Sequence, residues 1–190
     1  MRKKRINQKA VIGIFIAAIM VLSIFGMMLD YAIKPDQKIK YKEYTFKQKQ
    51  GKWTAEIKDK EYKFYFTPQD LEHLNITQQA KQLLKTKDVY TITYDPDNRD
   101  VETIAQAIYE LEQQITKPII ETALTNNTGT ALLQKTCKDA TPQQPVIYYK
   151  EGDEQKIETQ KNCIIINSID SRDIIMQTDL IKYLMLGVMK

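Results

Sequence analysis

Residues 95–100 collect several side chains that could bind a metal ion. The segment reads Asp-Pro-Asp-Asn-Arg-Asp and supplies three carboxylates and an amide, the oxygen ligands that hard cations such as Ca²⁺ prefer. Arg99 occupies a ligand position of the EF-hand pattern, however, and no glycine follows at the required place. Asp and Asn also favour a turn between a strand and a helix. We therefore predict a turn without a metal, and Asp95, Asp97 and Asp100 are only weak candidates for a metal site.

The side chains needed for nucleophilic catalysis are scarce. The sequence has no G-x-S-x-G, Walker loop, G-x-G-x-x-G or H-E-x-x-H motif. Its single histidine, His73, is the one candidate for the base of a serine or cysteine hydrolase, and its polar neighbours predict a solvated surface position. The sequence favours a protein that is not an enzyme and predicts no cofactor. An enzyme with an unrecognised carboxylate site stays open as an alternative.

Charge is distributed unevenly along the chain. Five basic residues, and no acidic residue, lie within positions 1–9, whereas the rest of the chain carries 23 basic and 24 acidic side chains. The net charge of +4 therefore belongs to the N-terminal tail. A nucleic-acid-binding domain should itself be basic, so no nucleic-acid partner is predicted.

An uncharged run follows this basic tail. Residues 10–29 contain no charged side chain, and twenty helical residues span about 30 Å, the thickness of a bilayer core. The run is longer than the apolar part of a signal peptide and lacks a small-x-small cleavage site. We predict an uncleaved, single-pass signal-anchor, with a transmembrane helix over residues 10–30.

The basic residues ahead of this segment predict its orientation. Positive flanks stay on the cytoplasmic side, so the tail at 1–9 should be cytoplasmic and the C-terminal domain should lie outside the cell membrane. Two N-x-[ST] sequons, at Asn75 and Asn126, are compatible with glycosylation on that side. Two isolated cysteines in an exported domain usually pair, so we predict a disulfide between Cys137 and Cys163. The lipid bilayer is the predicted partner, and another membrane or envelope protein is a candidate partner; the sequence does not indicate whether a small molecule binds.

The remaining sequence predicts a tether at residues 31–42 and one domain at residues 43–190. Alternating β-formers near residues 44–46, 53–57 and 62–66 indicate an antiparallel meander. Helices are predicted at residues 77–87, 100–116 and 172–186, and further strands at 89–94, 146–149, 156–159 and 163–166. A turn at 151–153 should pair the strand at 146–149 with the one at 156–159, and residues 118–136 fit either a helix or a strand. The predicted fold class is α+β (mixed α/β), with helices packed on the sheet.

Two segments resemble uncharacterised single-span archaeal membrane proteins. They begin as TCKDATP at Thr136 and as NCIII at Asn162, and the likeness is confined to the C-terminal third of the chain. It implies an exported domain with a disulfide, and it offers no established activity to transfer. The leading hypothesis is therefore a membrane-anchored, extracytoplasmic binding or assembly module of unknown function. A cell-envelope enzyme is one alternative. A pilin-like filament subunit is another, because Lys9-Ala10 before an apolar run is similar to the processing site of archaeal pilin precursors.

Overall fold

Residues 8–33, 37–126 and 129–190 are described by the structure, a computed structural model of the chain. The chain divides into two units, Met1–Gln37 and Lys38–Lys190. The first unit holds helix α1, Gln8–Ile33, whose described side chains are those of residues 12–26, and these are all exposed.

Within the described residues, no helix is both long enough and apolar enough for a membrane crossing. The predicted transmembrane segment at 10–30 extends past those side chains at both ends, and residues 1–7 and 34–36 also lie outside the described residues. The membrane anchor therefore stays a prediction.

The second unit begins with a four-stranded antiparallel meander. Its strands are β1 (Lys38–Tyr41), β2 (Tyr44–Lys49), β3 (Lys52–Ile57) and β4 (Lys60–Phe64), in that spatial order. Alternate residues such as Phe46, Ile57 and Phe64 are buried, which confirms the period-2 pattern expected for a meander with one buried face. Strand β1 lies within the segment predicted as a tether, so the folded unit begins a few residues earlier than its sequence suggests.

A second, six-stranded sheet follows. Its strands are β5 (Val89–Tyr94), β6 (Ile119–Leu124), β7 (Leu133–Gln134), β8 (Val146–Glu151), β9 (Lys156–Gln160) and β10 (Cys163–Ser168). The spatial order is β7-β6-β5-β8-β10-β9; β9 is antiparallel to β10, and the other neighbouring strands are parallel. The predicted pairing of β8 with β9 is wrong, because the apolar strand β10 lies between them and pairs with both.

Among the described residues, this unit has four α-helices: α2 (Pro68–Leu71), α3 (Gln78–Thr86), α4 (Val101–Gln114) and α5 (Ser171–Leu186). Their ends follow local sequence signals. The Thr77 hydroxyl accepts from the backbone N–H of Ala80, and the Asp170 carboxylate accepts from that of Asp173, so each side chain satisfies an otherwise unpaired donor. Helix α5 ends at Gly187, whose φ of 80° lies in the left-handed region that glycine adopts without strain.

Helix α5 is buried by both sheets. On the meander side, the Tyr183 ring stacks on Phe64 with 4.0 Å between ring centroids. On the other side, the Tyr149 hydroxyl lies 2.8 Å from Thr178 Oγ1. The face of the six-stranded sheet that packs on the helices, here called the covered face, carries mostly large apolar side chains: Tyr90, Ile92, Ile147, Tyr149, Ile164 and Ile166. The opposite or open face carries Thr91, Thr93, Ala123, Tyr148, Cys163 and Ile165. The predicted α+β class is confirmed for this unit, with the helices packed between its two sheets.

Candidate functional site

A partly open cavity lies between α4, α5 and the end of β4, and we refer to it as the α4–α5 cavity. Its volume is about 120 Å³. A cavity of about 150 Å³ accommodates benzene, so this one has room for a molecule of roughly six non-hydrogen atoms. Apolar atoms of the two helices form part of its wall. Eight polar or charged residues also line it: Lys63, Tyr65, Thr103, Gln106, Glu110, Thr178, Asp179 and Lys182.

Asp179 is the most deeply buried carboxylate of the cavity wall, with 4% of its surface exposed. Its Oδ2 accepts hydrogen bonds from the backbone N–H groups of Tyr65, at 2.7 Å, and Phe66, at 2.9 Å. The carboxylate thereby fixes the chain where it leaves the meander. Burial raises the pKa of Asp179 to about 6, although the neighbouring Lys182 ammonium and the two N–H donors act in the opposite direction. Asp179 therefore becomes a group that can exchange a proton near neutral pH.

Lys182 lies one helical turn further along α5, at the spacing that places two side chains on the same helix face. Its ammonium donates to the backbone carbonyl of Lys63 and, at 2.8 Å, to Gln114 Oε1. Burial lowers the pKa of Lys182 to about 8, against the attraction of Asp179 and Glu110. The cavity thus contains an acid and a base whose pKa values both move toward neutrality.

Glu110 belongs to a more exposed part of the lining. Its carboxylate accepts from Lys52 Nζ at 2.9 Å and from the Tyr65 hydroxyl at 2.8 Å, and the Lys52 ammonium lies 4.2 Å from the centre of the Tyr65 ring. Partial burial alone would raise the pKa of Glu110, but hydrogen bonds from Lys52, Tyr65 and Gln106 outweigh burial and lower it. Glu110 therefore stays ionised while Asp179 approaches neutrality.

One atom of this arrangement is left for a ligand. Among the described residues, no hydrogen bond reaches Oδ1 of Asp179, whereas Oδ2 accepts two. A small molecule in the cavity could therefore donate a hydrogen bond to Oδ1 without displacing a protein group. The other polar groups, on Gln106 and Glu110, lie on α4 four residues apart and face the same cavity.

Two of the weak metal candidates from the sequence, Asp95 and Asp100, make contacts within the protein. Asp95 Oδ1 accepts from the backbone N–H of Asp97 at 3.0 Å, which closes the turn after β5. Asp100 accepts from the Ser171 hydroxyl at 2.5 Å and pairs with Arg99, so it links the starts of α4 and α5. In the part of the chain that the structure describes, no group of three or more His, Cys, Asp or Glu side chains could hold a metal ion.

The predicted disulfide is present. Cys137 and Cys163 are bonded, with 5.2 Å between their Cα atoms, and the bond joins a short 3₁₀ helix (Cys137–Asp139) to the start of β10 on the open face. His73 is exposed, as expected for a solvated residue. Asn75 and Asn126 are both exposed, but residues 127–128 of the second sequon lie outside the described residues, and glycosylation at either site stays a prediction.

Sequence reasoning missed Asp179, Lys182 and Glu110 as members of one site. The sequence predicts a helix at residues 172–186 but singles out none of its polar residues. A signal was nevertheless present, because the run Leu180-Ile181-Lys182-Tyr183-Leu184 places apolar side chains on more than one side of the helix. Such a helix is buried on several faces, and its few charged residues are then buried with it.

Comparisons with known proteins returned no relative. No protein-family model matches the chain, and neither the curated proteins nor the solved structures contain a match. The resemblance to single-span archaeal membrane proteins therefore stays a prediction. Any functional proposal must come from the geometry of the chain itself.

Proposed function

We propose that this chain is a membrane-anchored, extracytoplasmic binding module that holds a small polar molecule in the α4–α5 cavity. One observation carries the proposal: the cavity of about 120 Å³ is lined by a buried carboxylate, Asp179, and one oxygen of this carboxylate accepts no hydrogen bond from the described residues. Small-molecule sites are typically concave, partly apolar and equipped with a few convergent polar groups.

The membrane part of the proposal is supported by the sequence of residues 10–29 and by the exposure of α1. Its described side chains include Ile14, Phe15 and Leu22, which are 71%, 65% and 69% exposed. A continuous apolar surface of this kind marks contact with lipid or with another protein. The basic residues within positions 1–9 favour a cytoplasmic N-terminus and place the folded unit outside.

The lining of the cavity indicates the class of ligand. The available oxygen of Asp179 is an acceptor, so the ligand must donate a hydrogen bond there, and an ammonium group would gain the most from a neighbouring carboxylate. The methyl of Ala107 and the side chains of Leu111 and Ile175 supply apolar contact. The expected ligand is a compact amine or amide of roughly six non-hydrogen atoms.

Ligand-observed NMR on the full chain in detergent tests this site. The probes are ethanolamine, glycine and urea, which carry donors, and acetate, which carries none on its carboxylate. We expect at least one donor to bind and acetate to remain unbound. Ala107→Leu should abolish binding by filling the cavity, because Ala107 lines it, whereas the exposed Ala131→Leu is the matched control. Equal binding to both variants, or no binding of any donor, would refute the cavity as a ligand site.

Protease digestion of sealed cells tests the compartment separately. We expect added protease to cleave residues 40–190 while the N-terminal tail stays protected. A folded unit that resists digestion in sealed cells but is cut after lysis would contradict the outward orientation and leave the cavity proposal untouched.

An envelope enzyme is the second candidate, and the same cavity favours it. Asp179 and Lys182, with pKa values of about 6 and about 8, form the kind of pair that can accept and return a proton at neutral pH. Mass spectrometry of each NMR probe after incubation separates the two functions. A binding module returns the probe unchanged, whereas an enzyme alters its mass and loses that activity in Asp179→Asn.

The filament alternative depends on the N-terminal sequence alone, and the described residues add no support for it. Intact-mass measurement of the mature protein decides it. Removal of the residues before Ala10 would favour a processed, pilin-like subunit, and a full-length mass would favour the anchored module.

A further inference from the structure

A second concave surface lies on the open face of the six-stranded sheet, and we call it the open-face groove. Its volume is about 650 Å³, within the range of about 300–1,000 Å³ that is typical of small-molecule sites. Tyr148 and Ile165 form its floor, because they are paired across the parallel strands β8 and β10 and both are half-buried. The groove is therefore separate from the α4–α5 cavity, which lies beyond the covered face of the same sheet.

The short 3₁₀ helix forms one wall of the groove and is held firmly against the sheet. The disulfide ties Cys137 to Cys163, and the Thr93 hydroxyl donates to the backbone carbonyl of Lys135 at 2.8 Å. Gln160, at the end of β9, and Lys161, in the turn before β10, form another part of the lining. A wall fixed by a covalent bond and a hydrogen bond gives the groove a preformed shape, which lowers the entropic cost of binding.

Three lysines line the groove, and no acidic residue does. Lys138, Lys150 and Lys161 are exposed, and in the described parts of the chain none of them forms an ion pair with a carboxylate. Their positive charges add in one concave surface, where low-dielectric walls concentrate the field. The groove is therefore complementary to an anion.

The carboxylates close to these lysines in sequence have other partners. Asp139 accepts from the backbone N–H of Thr136 at 2.8 Å, and these bonds lower the pKa of Asp139. Glu151 pairs with Arg99 at 3.3 Å across the carboxyl ends of the strands. The lining itself therefore carries three positive charges and no negative one, although the Asp139 carboxylate lies close enough to attract Lys138.

The remaining lining indicates what kind of anion fits. The Tyr148 ring and the Ile165 side chain offer a flat apolar floor, and Thr125, Thr136 and Gln160 offer hydroxyl and amide groups along the sides. A pyranose ring has an apolar face that stacks on such a floor and hydroxyl groups that exchange hydrogen bonds with such walls. We propose that the open-face groove binds an acidic oligosaccharide, with the lysines contacting its carboxylates or sulfates and Tyr148 contacting a sugar face.

Isothermal titration of the full chain in detergent tests the proposal with named probes. Tetragalacturonic acid and a heparin tetrasaccharide are the acidic probes, and maltotetraose is the neutral one. We expect an acidic probe to bind at least tenfold more tightly than maltotetraose, and its affinity to fall as NaCl is raised. Tight binding of maltotetraose, or no heat from either acidic probe at millimolar concentration, would overturn the proposal.

Two variants locate the binding in the groove. The triple change Lys138→Gln, Lys150→Gln and Lys161→Gln should weaken acidic-probe binding at least tenfold. The matched control changes three exposed lysines of the meander, Lys38, Lys47 and Lys58, to Gln and should alter binding less than twofold. An equal loss of binding in both triple variants would mean that the probes respond only to the net charge of the protein, which would contradict a localised site.

Tyr148→Ala distinguishes a saccharide from a simple anion. Loss of the aromatic floor should weaken the acidic tetrasaccharides about fivefold or more, while circular dichroism confirms that the variant is folded. Inorganic phosphate serves as the simple anion. If phosphate binds as tightly as the tetrasaccharides and Tyr148→Ala has no effect, the groove is an anion site and the saccharide proposal fails.

Discussion

The α4–α5 cavity and the open-face groove are built from different kinds of side chains. In the cavity, Asp179 and Lys182 are almost completely buried and each holds backbone groups of the meander in place. In the groove, the three lysines are exposed and have no carboxylate partner among the described residues. The buried side chains of the cavity therefore make hydrogen bonds within the fold, whereas the lysines of the groove make no ion pair with another described residue.

This difference separates stability from binding. A buried, hydrogen-bonded charge cannot be removed without leaving its partners unsatisfied, so variants of the cavity should change unfolding and binding together. Exposed, unpaired charges make little contribution to folding, so variants of the groove should change binding alone. The predictions below test this distinction from the largest expected effect to the smallest.

Lys182→Met should be the most destabilising of these changes. It leaves Asp179 without its nearest buried cation and deprives the Lys63 carbonyl and Gln114 of a donor, a loss of about 3–5 kcal/mol. Lys150→Met on the open face is the matched control and should stay within about 0.5 kcal/mol of the parent chain. Urea unfolding of the full chain, followed by circular dichroism, measures both. Similar midpoints for the two variants would show that the buried charge does not stabilise the fold.

Removal of the disulfide should also lower the free energy of unfolding, by somewhat less than Lys182→Met does. The bond spans 26 residues, and closing such a loop stabilises the fold by about 3 kcal/mol in the chain-entropy model. Cys137→Ser combined with Cys163→Ala avoids placing a hydroxyl at the buried position. Urea unfolding of this double variant measures the loss, and reduction of the parent chain should reproduce it. An unchanged midpoint in both experiments would mean that hydrogen bonds alone hold the 3₁₀ helix against the sheet.

The elements that follow from local sequence were predictable. Alternation in β2–β4, the apolar periodicity of α4, and the capping residues Thr77 and Asp170 each depend on neighbours within a few positions. The disulfide followed from the number of cysteines and the expected compartment. The strands and helices are encoded by residues that are close together in the chain. The disulfide is predictable because two cysteines allow only one bond within the chain.

The arrangements that need distant contacts were not predictable. Gln177, Asp179 and Lys182 are polar residues of α5, and they are buried because the meander covers the side of the helix that the six-stranded sheet leaves open. The pairing of β9 with β10, and the meeting of Tyr148 with Ile165, depend equally on strand order. Both candidate sites are products of this packing, which is why neither is visible as a sequence motif.

Asp179→Asn should remove a pH dependence of stability that belongs to the cavity. The folded-state pKa of Asp179 is raised to about 6 from 3.8, so its contribution to stability is fully present below pH 3.8 and is lost as the pH rises through about 6. Relative to Asp179→Asn, the parent chain should lose roughly 2 kcal/mol between pH 4 and pH 7. Thermal unfolding of the parent chain and of Asp179→Asn at each pH measures the difference in stability between them. The other carboxylates are the same in both chains, so their contribution cancels in this difference. A difference that is constant over this range would contradict a raised pKa.

Tyr149 and Tyr148 give the finest test, because they are adjacent in β8 but point to opposite faces of the sheet. Tyr149 lies on the covered face, and its hydroxyl donates to Thr178 Oγ1 at 2.8 Å, since the Thr178 hydroxyl itself donates to the Ile174 carbonyl. Tyr149→Phe should therefore cost about 1 kcal/mol, the value of a buried hydrogen bond whose acceptor is left unpaired. Tyr148→Phe keeps the aromatic floor of the groove and removes a hydroxyl that forms no hydrogen bond with the described residues, so it should change neither stability nor saccharide binding. Urea unfolding of the two variants supplies the measurement. Equal effects would mean that the open face is packed as tightly as the covered one, and the groove would then lose its role as a surface free to bind.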